Sequence, residues 1–329
     1  MELTHRVNIP KWTRLYDHKT KFSLWGSCFS SELTRHLSDN LFDVIPSPFG
    51  IMYNPASIAK GLRRVIDGTP FEEGDLFVQN ETWYSNMHHG DYASEDKELA
   101  LARINGELSR LHRAFRDINV WVFTFGTSYV YEESRAPHEV VNNCHRRPAK
   151  DFHRRRLSID EIVEQWEPLL HHLLDMGGEV IFTVSPICHY RDGAHESRLS
   201  KAVLLLAIDE LQRRFPSVKY FPSYEIMTDE LRDYRFYGED LSHPSPIAVK
   251  YIMERFTEAC INPKTTKGPL VHWEKLRKRM SHRPMTKAPD KLRQHYSGII
   301  LELEDFNSQL HHPSVQEAIK HFQSLMDQL

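Results

Sequence analysis

Apolar runs and helical spacings alternate along this chain. Phe22-Ser23-Leu24-Trp25 is a short buried-strand pattern that turns at Gly26. Leu33 and Leu37 then recur at i and i+4, which predicts a helix capped by Ser30 or Ser31. Residues 42–45 form a second apolar run, followed by a turn-rich loop over 46–55 and a helix over 57–66 with Ile58, Leu62, Val65 and Ile66 on one side. Residues 67–94 lack a period and carry scattered aromatics, as an insertion or lid does. A long helix over 95–115 feeds the apolar strand 119–125, which ends in Gly126-Thr127-Ser128. Ser158 with Glu161 three residues on is a capping box opening a helix over 158–176. Strands at 179–184 and 218–221 alternate with helices at 196–215, 224–231 and 246–260. Strands alternating with helices predict a parallel sheet covered by helices.

Beyond residue 262 the pattern changes. Residues 264–293 hold ten Lys/Arg against two Asp/Glu, and 300–329 are helical in spacing and more acidic. The expectation is a domain over 1–262 and a basic linker with a helical tail over 263–329, the tail packing on the domain or on a protein partner. The whole chain has 329 residues and a formal charge of −3, which gives no general argument for nucleic acid or an anionic membrane, and no nucleic-acid partner is expected. No run of ~18 apolar residues is present, so no membrane span is predicted. The segment MELTHRVNIPKW lacks the apolar core of a signal peptide, and the four cysteines form no C-x-x-C pair. Free thiols in a cytoplasmic protein are the simplest expectation. His88, His89 and His189 do not have spacing that specifies a metal geometry, and neither a metal nor a cofactor is predicted.

The chemistry concentrates where strands end. Ligands of such sheets bind outside the carboxyl ends of the strands. Four segments fall there: Gly26-Ser27-Cys28, Pro48-Phe49-Gly50, Gly126-Thr127-Ser128 and Ser185 to His189. Ser27 and Cys28 stand between a strand and a helix N-terminus, whose free N–H groups stabilise a thiolate or an oxyanion. The segment after the last strand carries Asp240-Leu241-Ser242-His243-Pro244. Asp and His three residues apart meet on one side of a helical turn, and a carboxylate beside an imidazole fixes its tautomer. The other ring nitrogen then takes a proton from Ser or Cys. The stretch from Arg146 to Arg156 is basic and suits a phosphate, a carboxylate or a solvated face.

These residues resemble the GSCFA family, a branch of the SGNH/GDSL hydrolase-like group. The name motif stands as Gly26-Ser27-Cys28-Phe29, with Ser30 where the family usually has Ala. Further likeness lies in Pro48 to Pro55, Phe125-Gly126-Thr127, Val141 to His145, Ser185-Pro186 with His189, Ser200-Lys201-Ala202, and the run from Tyr220 through Asp240 and His243. The resemblance implies a flavodoxin-like sheet with helices on both faces, hydrolysing or transferring acyl esters of a small polar or carbohydrate substrate. It implies Cys28 as nucleophile, or Ser27 with a shift of one residue, with His243 as base and Asp240 as its orienter. Gly50 corresponds to a backbone oxyanion donor. The third-block Asn of the wider group is absent, since Ser128 follows Gly126-Thr127; Thr127, Asn54 or Asn143 is then the substitute donor. Asn143, His145 and His189 are expected as substrate contacts. The alternative is a catalytically weak or inactive module that keeps the fold and binds a carbohydrate or peptide.

Overall fold

A computed structural model describes residues 4–136, 139–282, 284–285 and 288–329. In chain order its strands are β1 (Lys21–Gly26), β2 (Asp43–Pro46), β3 (Leu76–Gln79), β4 (Thr82–Ser85), β5 (Val120–Phe125), β6 (Tyr129–Glu133), β7 (Val140–Val141), β8 (Phe152–Arg156), β9 (Glu179–Val184) and β10 (Lys219–Phe221). The helices are α1 (Cys28–Asp39), α2 (Pro55–Asp67), α3 (Lys97–Ala114), α4 (Ile159–Asp175), α5 (Gly193–Arg214), α6 (Ser223–Glu225), α7 (Pro246–Cys260), α8 (Pro263–Lys267), α9 (Pro269–Ser281), α10 (Pro289–Leu310) and α11 (Pro313–Asp327).

Five strands form one parallel sheet in the order β10-β9-β5-β1-β2. This is the flavodoxin-like order, whose direction of winding reverses between β1 and β5. Side chains alternate between the faces because the strand period is two. Trp25, Trp121, Phe123, Phe125 and Phe182 pack on one face beneath α2, α3, α4 and α5. Phe22, Leu24, Val120, Val122, Ile181 and Phe221 pack on the other beneath α1 and α7. Burial on both faces explains why β1, β5 and β9 are almost wholly apolar runs. The capping box at Ser158 and Glu161 opens α4 as its spacing predicts.

Three features differ from the sequence expectation. The cap of α1 is Ser27, not Ser30 or Ser31: Gly26 leaves the strand at φ +132°, Ser27 takes the extended cap conformation, and Ser30 already lies in the first turn, donating to Ser27 O (2.7 Å). Residues 67–94 hold a hairpin, β3–β4, whose two-residue turn is Asn80-Glu81 with positive φ at both positions. The basic stretch ends in β8, the edge of a separate antiparallel sheet in the order β7-β6-β8. The tail is helical from α8 to α11 and has its own core of Trp273, Leu303, Phe306 and Phe322, into which Leu41 inserts from the turn after α1.

Gly26 sets the exit of β1. A Cβ there would lie 2.1 Å from Thr124 O, on a backbone at positive φ. Gly26→Ala is expected to cost about 3 kcal/mol or more of stability. Urea unfolding checks this, and an unchanged midpoint would show that the turn has room to relax.

Candidate functional site

β1 and the turn at Gly26 deliver Cys28 to the first position of α1, where the opening N–H groups of the helix have no intrahelical acceptor. Cys28 is half-buried and lines a cavity of about 700 Å³. Ser27, one residue earlier, is fully buried and is not among the residues lining that cavity; its Oγ has no partner among the described residues. Of the two candidate nucleophiles, only Cys28 is open to a ligand there.

His243 lines the same cavity. Its Nδ1–H donates to Asp240 Oδ2 at 2.5 Å, so Nε2 is the nitrogen left for a substrate or thiol proton. The pair does not sit on a helical turn. Leu241 has φ +54°, and Asp240 Oδ1 instead accepts the amides of Ser242 (3.0 Å) and His243 (2.9 Å). Those amides and the His243 ring hold the Asp240 carboxyl down to about 2. The loop is closed by Gly238 N–H to His243 O (2.7 Å) and tied to the loop after β9 by Cys188 N–H to Ser242 O (3.2 Å). Helix α7 begins only at Pro246, with Ser245 as cap.

Tyr53 is the residue that the sequence reading passed over. Its carbonyl accepts both Gly126 N–H (2.8 Å) and Thr127 N–H (2.9 Å). Its phenol has Cys28 as a neighbour, and burial first, then that neighbour, pushes it up to about 12, so it keeps its proton at neutral pH. The Tyr53 ring meets His189 edge-on at 6.2 Å. His189 lines the cavity; desolvation by its surroundings, then the charges of Lys201 and His243, bring its imidazole down to about 4.

The remaining predicted residues fall in two groups. Asn54, Thr127 and Asn143 reach the cavity wall; Asn54 and Thr127 have their polar atoms committed, whereas Asn143 commits Oδ1 and has no partner for Nδ2 among the described residues. Asn54 caps α2 through Ser57 N–H (2.8 Å), and Asn143 Oδ1 accepts His145 N–H (2.9 Å). The Thr127 amide is held by Tyr53 O, and its hydroxyl by Ser200 Oγ (3.0 Å). Gly50 and His145 are not among the lining residues. Gly50 packs against His89 and points its N–H to Ser47 O (3.4 Å), so the expected backbone donor is turned away. His145 is buried against Tyr84 and donates from Nε2 to Ser85 O (2.9 Å), fastening the loop after β7 to the β3–β4 hairpin rather than meeting a substrate. His88 is also buried, with Nδ1 on Ser85 Oγ, and is not among the residues lining the cavity that His189 faces. Among the described residues no group of three His, Cys, Asp or Glu side chains is placed to hold a metal ion.

Lys201 lies beneath the cavity, buried on α5. Its ammonium donates to Gly126 O (2.7 Å) and Ser185 O (2.8 Å), joining the ends of β5 and β9. The preceding Ser200 accepts Ser128 N–H (2.9 Å). A legible signal existed: Lys201 occupies the helical stripe of Leu204, Ile208 and Leu211, where an unpartnered charge does not belong.

A cysteine at a helix start and an Asp–His pair, both opening on one cavity at the carboxyl edge of a flavodoxin-like sheet, define an α/β protein with a candidate nucleophile and base. The chain belongs to the GSCFA family, whose model matches residues 21–256. No curated protein matches it. Among the described residues no helix is long and apolar enough to cross a membrane.

Burial lowers the Lys201 pKa from its ordinary 10.5 to about 7. The folded state therefore binds fewer protons than the unfolded chain between those values, and stability rises with pH across that window. Relative to a Lys201→Met variant, the wild type is expected to gain up to about 1.4 kcal/mol per pH unit above pH 7. Paired chemical unfolding at pH 7, 8 and 9 measures it; parallel stabilities would contradict a depressed lysine.

Proposed function

We propose that the protein is an acyl-ester hydrolase or O-acyltransferase that works through a cysteine nucleophile. The observation that carries the reading is the opening of Cys28 and the Asp240-held His243 onto one cavity. His243 Nε2 takes the Cys28 thiol proton, and the sulfur attacks the ester carbonyl. The tetrahedral oxyanion is met by the Cys28 N–H at the start of α1 and by the Tyr53 hydroxyl, which takes the place of the absent third-block Asn. As the intermediate collapses, imidazolium Nε2–H protonates the departing alkoxide, leaving a thioester on Cys28. Water or a hydroxyl acceptor then gives its proton to His243 and attacks the thioester, which releases the acid or a new ester and restores the thiol. Asp240 stabilises the imidazolium in both halves. The resemblance to SGNH/GDSL hydrolase-like proteins supports this chemistry, and the four free cysteines fit a reducing compartment such as the cytoplasm.

A second reading has its own observation. The amides of Gly50 and Thr127 are spent on Ser47 O and Tyr53 O, which favours a module that binds an acylated carbohydrate without turning it over.

Brief exposure to an activated acetyl ester, followed by intact-mass spectrometry, separates the two. A single acetyl adduct is expected, absent in Cys28→Ala and retained in Ser27→Ala. The acylation rate should fall about 100-fold or more in His243→Ala and about 100-fold in Tyr53→Phe. Unchanged rates in both variants would refute the assigned roles. Absence of any adduct, with specific carbohydrate binding retained in Cys28→Ala, would establish the binding module.

A further inference from the structure

The chain as a whole carries 42 Lys/Arg against 45 Asp/Glu. The cavity does not share that balance. Its lining holds Arg146, Arg147, Arg154, Arg191 and Lys201 against the single carboxylate of Asp192. Three of these cations have internal duties. Arg147 pairs with Glu133 (2.8 Å) and donates to Asn86, Arg154 forks onto Asp192 (2.9 and 2.5 Å), and Lys201 is spent on two carbonyls. Arg146 and Arg191 are left. Among the described residues neither has a carboxylate partner; Arg191 donates only to the Tyr131 hydroxyl (2.6 Å), and both side chains belong to exposed residues.

Two guanidinium groups that face a cavity without a carboxylate partner are free to receive an anion there. The Arg191 side chain and the Arg146 backbone are held in place. Arg146 sits at φ +57° in the turn that His145 fastens to the hairpin, and Tyr131 of β6 fixes Arg191. A fork that is always charged matches the oxygens of phosphate or carboxylate. Arg154, stacked 3.9 Å over the Tyr129 ring, and Asp192 close off the neighbouring charges, so the positive surplus is local to Arg146 and Arg191.

We infer that the substrate carries an oxyanion, a phosphate or a carboxylate, which Arg146 and Arg191 receive while its acyl group lies at Cys28. The second half of that statement rests on the acyl-transfer reading; the anion site itself does not. The site selects anionic esters over neutral ones and weakens with salt, as exposed charge pairs do.

The test uses the intact chain and two alkylating probes of nearly equal size, anionic iodoacetate and neutral iodoacetamide. Peptide mapping follows each cysteine separately, and rates are normalised to glutathione. At low ionic strength Cys28 is expected to prefer iodoacetate by about tenfold over the glutathione ratio, a modest case of field focusing in a charged cleft. The preference should collapse toward the glutathione ratio in the Arg146→Ala/Arg191→Ala double variant and in high salt, with the iodoacetamide rate unchanged. A wild-type ratio equal to that of glutathione, or a preference that survives the double substitution, would overturn the inference. Calorimetric titration with pyrophosphate and with succinate runs beside it. Saturable binding of either, lost in the double variant, supports the site and tells phosphate from carboxylate; no saturable binding of either overturns it. An acyl-enzyme without anion preference removes this inference alone, and anion preference without an acyl-enzyme removes the catalytic reading alone.

Discussion

At the carboxyl edge of a parallel sheet the last backbone groups of each strand must find partners outside the ladder. Here the loops satisfy one another. Leu24 O and Gly26 O accept the amides of Ser47 (2.9 Å) and Met52 (2.8 Å); Tyr53 O accepts Gly126 and Thr127; Phe125 O accepts Ser185 (2.8 Å). Lys201 then bridges Gly126 O and Ser185 O, and Cys188 reaches Ser242. The result is a continuous lacing from the end of β1 to the loop of His243. Buried backbone groups left unpaired would each cost about 1–3 kcal/mol, so the loops have little freedom to separate. Cys28 and His243 lie far apart in sequence but are attached to the same lacing, which fixes where each is presented.

The same constraint explains the polar residues on α5. A methionine at 201 would fill the space and leave two strand-end carbonyls without donors. A lysine supplies both hydrogen bonds at the cost of desolvating its charge, and the Tyr224 ring 5.3 Å away offsets part of that cost. Ser200 does comparable work one residue earlier, with Thr127, Ser128 N–H and Ser128 Oγ all within 3.1 Å of its hydroxyl. The floor of the cavity is therefore a hydrogen-bonded layer, and the helix that provides it is amphipathic in an unusual sense: its inward stripe is apolar toward the core and polar toward the site.

How much of this was legible in the sequence follows from what each pattern encodes. Strands buried on both faces are continuous apolar runs, so β1, β5 and β9 stand out. The short alternating strands β6 and β8 do not. Arg154 and Arg156 on β8 face the charged side chains of Asp192 and Glu196, which hides the strand inside a basic stretch. That Cys28 and His243 converge on one cavity, with Asp240 on His243, was legible because motif and position agreed. Gly50 and His145 were misplaced because a motif names residues without naming which way an amide or a ring faces. Tyr53 lies within the Pro48 to Pro55 motif, but what makes it a neighbour of Cys28 is the fold, and no local pattern carries that.

The tail completes the argument about position. Helix α1 presents Cys28 at its first residue, so the orientation of the whole helix matters at the cavity. Its far end leaves carbonyls without intrahelical partners. Trp273 of α9 donates to Asp39 O (2.8 Å), Asn40 turns back onto His36 O (2.8 Å), and His18 donates to Asn40 O (3.0 Å). His36 meets Thr257 of α7 (2.9 Å), and Leu41 is buried in the core of the tail helices. This helix of twelve residues is tied at its carboxyl end by three separate segments and at its amino end by the turn at Gly26. The tail lies outside the matched family region, yet it bears on the site by holding the element that carries the nucleophile candidate.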